Sequence, residues 1–155
     1  IVIFDSIRLA ISGCYSLSFP IFSDDRGSFY KLFHESALGA YLPGFLPREI
    51  YLTTSTQGVL RGMHFQIPPN DHSKVVICLS GRVNDVLLDL RPGIEFGKVA
   101  SVELSPEVYN AILIPKGVAH GFYAHENNSS LLYLVETVHS PDNDRGVLWN
   151  SFGLA

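Results

Sequence analysis

Two histidines set in otherwise apolar runs are the residues of this chain best suited to move a proton. His64 lies in Gly58-Val-Leu-Arg-Gly-Met-His64-Phe-Gln66 and His120 in Ile114-Pro-Lys-Gly-Val-Ala-His120-Gly-Phe122, each beside glycine and near a cation. An imidazole titrates close to neutrality, so either ring can take up and release a proton under ordinary conditions. A single histidine among apolar neighbours is more often a packed core residue. Here Arg61, His64 and Gln66 bring a cation, a base and an amide into one short stretch, a costly set to bury without a ligand to pair with. Lys74 opens the next apolar run beyond the Pro68-Pro-Asn-Asp71 turn, from which its ammonium can reach the same cavity or solvent. Tyr133 offers a phenol, with core packing the default for its ring taken alone. Asp85 and Asp89, four apart in one alternating run, share a face opposite Val86, Leu88 and Leu90. That face is either wet, the commoner case for a carboxylate, or a polar cavity wall.

The elements that must position these groups read as strands. Short runs rich in β-branched and aromatic residues predict strands over 74–79, 82–90, 98–104, 111–114 and 130–138. Turn signals at Ser80-Gly81, Arg91-Pro92-Gly93, Ser105-Pro106-Glu107, Pro115-Lys-Gly117 and Asn127-Asn128-Ser129 separate them at about the 8 to 12 residue spacing of sandwiches and barrels. Only 36–42, behind a Glu35-Ser36 cap, reads as a short helix. The pattern predicts an all-β antiparallel sandwich or barrel, most simply a jelly roll, as one domain over residues 1–155. Gly62 is expected where backbone or ligand comes close.

A chain of 155 residues can bury a core without disulfide staples. Its two cysteines, Cys14 and Cys78, lie in apolar surroundings without metal-ligand spacing and read as buried free thiols, as in a reducing cytoplasm. The apolar opening, residues 1–4, is interrupted by Asp5 and Arg8, and no run approaches the roughly 18 residues of a membrane span. With a net charge of −4 there is no overall basic field for nucleic acid, so an anionic ligand must be held by local arginines and lysines.

Taken in order, Arg61-Gly-Met-His-Phe-Gln66, Asn84-Asp-Val-Leu-Leu-Asp-Leu-Arg91, Phe96-Gly97, Val102-Glu-Leu-Ser105, Ile114-Pro-Lys-Gly-Val-Ala-His-Gly-Phe122 and Leu132-Tyr133 resemble the dTDP-4-dehydrorhamnose 3,5-epimerase family. Asp24-Asp-Arg-Gly-Ser-Phe29, Ser140-Pro141 and Arg145-Gly-Val-Leu-Trp-Asn150 extend the resemblance over about residues 19–150. It implies a cupin-type jelly roll, a cytoplasmic homodimer, and epimerisation of a nucleotide-diphospho-4-keto-6-deoxy sugar at C3, C5 or both, without metal or other cofactor. By the same resemblance His64 is the base, Lys74 stabilises the enolate and Tyr133 returns the proton. His120, Gln66 and Phe29 line the substrate site, while Arg61 and Arg26, the latter from a second subunit, bind the diphosphate. The family pairs its catalytic histidine with an aspartate near the C-terminus, in a segment beyond Ser151-Phe-Gly-Leu-Ala155. Within the chain read here, Asp85 and Asp89 are the candidates to orient His64 or His120.

This chain differs from the main rhamnose-pathway pattern at Lys31, where glutamate is usual, at Tyr51, where asparagine is common, and at Leu134, where a lysine often follows the tyrosine. Two other readings compete. A metal-dependent cupin enzyme would use His64 and His120 on the two cupin motif strands, but Gln66 occupies the place of the usual second histidine. A nucleotide-sugar-binding homologue would keep the pocket with little or no turnover.

Overall fold

A computed structural model describes residues 5–153; the apolar opening at 1–4 and residues 154–155 lie outside the described residues. In chain order its elements are β1 (Asp5–Arg8), β2 (Tyr15–Ser18), β3 (Ile21–Asp24), β4 (Gly27–Tyr30), α1 (Glu35–Gly39), β5 (Glu49–Ser55) and β6 (Leu60–Gln66). They continue with β7 (Lys74–Ser80), β8 (Val83–Asp89), β9 (Val99–Leu104), β10 (Ala111–Ile114), β11 (Val118–Ala124), β12 (Ser129–Val135) and β13 (Asp144–Gly146). One sheet runs β1-β2-β10-β7-β12-β5 and the other β13-β6-β11-β8-β9, with β3 and β4 forming a separate hairpin. All pairings are antiparallel, and the two sheets make a jelly-roll sandwich as the alternation and turn spacing predict.

Three apolar clusters explain why several strands read as unbroken hydrophobic runs. Val76, Cys78, Ile112, Ile114, Leu87, Phe122 and Tyr133 fill the space between the sheets. Their strand neighbours Val75, Ile77, Ala111 and Leu113 point the other way and pack with Leu38 and Phe45, so the segment holding α1 covers the outer face of the first sheet. On the second sheet Val86, Leu88, Met63 and Ala119 form a third cluster with Val147 and Phe152. Strands buried on both faces lose the period-2 signal. Each fully buried leucine, isoleucine or valine here contributes on the order of 2 kcal/mol.

Several expectations shift in detail. The helix begins earlier and is shorter than 36–42: His34, not Glu35 or Ser36, is its cap, with Nδ1 accepting from the amide of Ala37, and residues 40–42 continue only as turns on Leu38. The strand expected over 130–138 stops at Val135, because Glu136 turns to accept from the amide of Ser73 and Thr137 bonds to His72. Cys14 and Cys78 are buried free thiols, as expected. Among the described residues no helix is long and apolar enough to cross a membrane.

Gly62 and Gly121 set the geometry of the two histidine strands. A Cβ on Gly62 would stand 2.5 Å from the Cα of Gly121 and 2.7 Å from the carbonyl oxygen of His120, and one on Gly121 would stand 2.7 Å from the carbonyl oxygen of Arg61. Gly62 also has φ of 109°, a conformation open to glycine. The close approach predicted at Gly62 is therefore backbone on backbone. It draws β6 and β11 together across a register shift, so that His64 and His120 become direct cross-strand partners.

Candidate active site

A cavity of about 480 Å³ opens between the sheets. Its wall includes His64, Arg61, His120 and Phe122 from the second sheet and Lys74, Tyr133, Tyr51 and Thr53 from the first, with His139 and Asp144 closing one side. The two histidines thus share one wall, and Lys74 and Tyr133 face them from the other.

Burial differs sharply within this set. His64 and Arg61 stand exposed at the opening. Lys74 and Tyr133 are 6 % exposed, and His120 is 4 % exposed. The His64 ring makes no hydrogen bond among the described residues, which leaves both nitrogens available to a ligand. Arg61 donates from Nε to the Ser55 hydroxyl at 3.0 Å, which steadies its side chain at the opening. Burial pushes the Lys74 ammonium down to about 8, against the opposing influence of Asp85 and Asp144. The cation at this position is therefore a titrating one. Burial also raises the Tyr133 phenol well above its ordinary range, and the charge of Asp85 adds to the effect.

Of the two readings of the Asp85 and Asp89 face, wet or turned inward, the structure gives the inward one. Asp85 and Asp89 are both fully buried, because the odd-numbered face of β8, with Val83 and Leu87, is the inner one. Asp85 lies on the same face as His120, two residues along the ladder from its direct partner Leu87. Nε2 of His120 lies 2.9 Å from Oδ2 in a well-directed bond and 2.8 Å from Oδ1, which is otherwise without a hydrogen-bond partner. Burial raises the Asp85 carboxyl, opposed by His120 and then Lys74. Asp85 accordingly orients His120, not His64.

Asp89 orients neither histidine. Its carboxylate accepts from the amide of Arg91 at 2.9 Å and from the guanidinium at 2.6 and 3.0 Å. Burial alone would raise it, and these bonds hold it below the usual carboxylate range.

One more expectation needs correction, and two further residues lie away from the main cavity of the single chain. Gln66 is buried but does not line the cavity: its amide nitrogen donates to the Asn70 carbonyl at 2.7 Å, and its oxygen accepts from the amide of Ser140 at 2.9 Å. Both ends are committed to joining two loops. Arg26 and Phe29 lie on the β3–β4 hairpin, against a separate cleft of about 310 Å³, where Arg26 pairs with Asp24 at 2.6 Å. A single chain does not bring them to the main cavity.

Sequence reasoning passed over Tyr51 as a wall residue, and over Thr53, Phe122, His139 and Asp144. Asp144 had a legible signal, since it sits beside Arg145-Gly146 in a motif already singled out, yet its strand pairs with β6 only in three dimensions. Among the described residues no group of three or more histidine, cysteine, aspartate or glutamate side chains is arranged to hold a metal ion.

An antiparallel sandwich with a base, a buried lysine and a phenol around one interior cavity defines a cupin-type jelly roll furnished for proton transfer. Comparison with known proteins makes the class specific. The family model described as dTDP-4-dehydrorhamnose 3,5-epimerase matches residues 8–155, and the chain belongs to that family of isomerases. The dTDP-4-dehydrorhamnose 3,5-epimerase of Escherichia coli strain K12 is 36 % identical over 152 residues, covering 96 % of this chain and 82 % of the relative. Among solved structures, RmlC of Legionella pneumophila in complex with dTDP-4-keto-L-rhamnose superposes with a TM-score of 0.86 at 31 % identity, covering 95 % of this chain and 79 % of that one. ChmJ of Streptomyces bikiniensis, a 3'-monoepimerase in complex with dTDP-quinovose, gives 0.83 at 26 % identity, covering 90 % and 71 %.

Proposed function

We propose that this protein epimerises a nucleotide-diphospho-4-keto-6-deoxy sugar next to its ketone, as a step in deoxysugar synthesis. The observation that carries the reading is the placement of His64 and Tyr133 on facing sheets of one cavity, with the buried ammonium of Lys74 beside them.

The chemistry follows from that placement. A hydrogen on carbon next to a ketone is removed only if the resulting enolate is stabilised. An imidazole nitrogen of His64 takes the proton, the C–H electron pair becomes the carbon–carbon double bond of the enolate, and the carbonyl π pair moves onto the former ketone oxygen beside Lys74. Tyr133, on the opposite wall, gives its phenolic proton to the other face of the same carbon, the ketone re-forms and the centre is inverted. The raised phenol suits this role, since Tyr133 stays protonated until an enolate is present to accept. Lys74 at about 8 is roughly nine-tenths protonated at pH 7. His120, held through Nε2 by Asp85, presents its other ring nitrogen to the sugar in a fixed orientation. Arg61 at the opening suits the diphosphate as a forked donor.

The reading extends to a homodimer. Phe22 and Phe29 on the hairpin are 59 % and 60 % exposed, and Arg26 stands beside them with its side chain 90 % exposed. An aromatic pair carrying a cation is poorly matched to water and well matched to a nucleotide held in a second subunit's cavity.

Incubation with a panel of nucleotide-linked 4-keto-6-deoxy sugars in heavy water tests the proposal. Deuterium should enter at C3 or C5, and His64→Ala should slow its entry by about 10²- to 10⁴-fold. Calorimetric binding without exchange for every sugar would instead mark a binding protein without turnover.

A further inference from the structure

Tyr51 stands on β5 directly opposite Tyr133 of β12, and the two rings stack with centroids 4.6 Å apart and planes 13° from parallel. His120 meets the Tyr133 ring edge-on, at 5.8 Å and 66°. The phenol that faces His64 across the cavity is thus covered on one face and braced at another point. Since β5 is an edge strand and Tyr51 is 40 % exposed, its ring is not filling the core. It stands where the main cavity meets a smaller one of about 200 Å³, whose wall also includes Glu49, His72 and His139. A large ring placed there narrows the arc through which Tyr133 can swing.

We propose that Tyr51 is a positioning residue that decides which carbon beside the ketone receives the proton from Tyr133, a proposal that rests on the epimerase reading of this cavity. A 4-keto sugar has two such carbons, C3 and C5, on either side of C4. In the return step the O–H bond of Tyr133 breaks and a C–H bond forms from the enolate electron pair. The ketone re-forms, and the phenolate left behind regains a proton from water. A phenol held in one orientation serves one of the two carbons, so the protein inverts a single centre. Similar folds differ in this respect, since the relatives named above include both a 3,5-epimerase and a 3'-monoepimerase.

Two measurements on the same variants test the proposal. Aromatic NMR reads the ring-flip rate of Tyr133, and the heavy-water assay reads inversion at C3 against C5. The unaltered protein should show a slowly flipping ring and invert one carbon at least about tenfold faster than the other. Tyr51→Ala, or Tyr51→Asn as a second variant where alanine loosens the sheet edge, should speed the flips and shift the C3-to-C5 ratio by about two- to twelvefold, the strength of one stacked aromatic pair. Tyr51→Phe keeps the stack and should keep both the flip rate and the ratio. Equal inversion at both carbons in the unaltered protein, an unchanged ratio in a folded Tyr51→Ala with a freed ring, or a Tyr51→Phe that behaves like Tyr51→Ala would each overturn the proposal. Absence of exchange with every sugar would remove the epimerase reading and this proposal with it, while the flip rates would still report whether Tyr51 clamps Tyr133.

Discussion

Replacing Lys74 with methionine should abolish turnover and make the protein more stable. Lys74 is 6 % exposed and forms no ion pair among the described residues, so the fold carries a nearly uncompensated buried ammonium. Burial lowers its pKa from 10.5 to about 8 in the folded chain. The unfolded chain therefore binds more protons between those values, and stability must rise with pH across that window. Below about pH 8 the full cost is present. From the size of the shift it is about 3 kcal/mol at pH 7, falling to about 2 kcal/mol at pH 9 and under about 1 kcal/mol near pH 10.5. Methionine matches the length of lysine without the charge, so Lys74→Met should gain about this much. At roughly 2 to 4 °C per kcal/mol for a chain of this size, its melting temperature at pH 7 should rise by about 6 to 12 °C. Urea unfolding of both proteins at pH 7, 9 and 10.5, beside the heavy-water assay, gives the comparison. A variant that is less stable at pH 7, or whose gain is the same at every pH, would show that Asp85 and Asp144 already compensate the ammonium. The lysine would then be a structural ion-pair member.

The same lysine sets the alkaline limit of activity: the rate should fall as pH rises through about 8, where the enolate loses its cation, and a pH-rate profile reads this directly. Tyr133→Phe removes the returning proton but leaves His64 free to take the substrate proton and give back a deuteron on the same face. Label should enter with little inversion, a pattern that NMR of the sugar separates from simple loss of activity. Arg61→Ala should raise KM by about tenfold or more with a smaller change in kcat, because a diphosphate contact is made equally in ground and transition states. Gly121→Ala would set a Cβ 2.7 Å from the Arg61 carbonyl oxygen, where backbone cannot yield cheaply, and should cost about 3 kcal/mol in chemical unfolding.

How much was legible depends on where each signal lives. Alternation and turn spacing are local, so the sandwich, the β10 strand at 111–114 and most of β7 to β9 could be read from the chain. His64, Lys74, His120 and Tyr133 were legible because each is a polar group inside an apolar run, and all four reach the cavity. The face of Asp85 and Asp89 could not be settled from the chain because Val83 and Leu87 on one face of β8 are as apolar as Val86 and Leu88 on the other; Asp85 does orient a histidine, His120, and Asp89 orients neither. With both faces buried, nothing local marks the inner one. Gln66 was misread because its partners, Asn70 and Ser140, include one 74 residues away. The hairpin at β3 and β4 and the short β13 are too brief to carry a period. Tyr51 acquires its meaning only from register, which pairs it with a residue more than eighty positions later.

The arrangement of charge argues that the cavity is built for a transition state more than for its own stability. Lys74, Asp85 and His120 come from β7, β8 and β11, on both sheets, and all three are nearly or fully buried. Burial drives Lys74 and Asp85 toward neutrality from opposite sides, and each is held back partly by the other's charge. A core of this size could have placed leucine at both positions, avoiding the cost and any need for His120 as partner. Retaining them means that a cation, a carboxylate and an oriented imidazole already stand around the cavity before a sugar enters. When negative charge moves onto an enolate oxygen there, the dipoles and charges that meet it are in place and need not reorganise. The exposed, unbonded His64 contrasts with them in being free to move a proton without first breaking a bond. That division, oriented charged groups on buried strands and an accessible imidazole at the opening, follows from which strands are central to the sheets and which side chains stand at the cavity mouth.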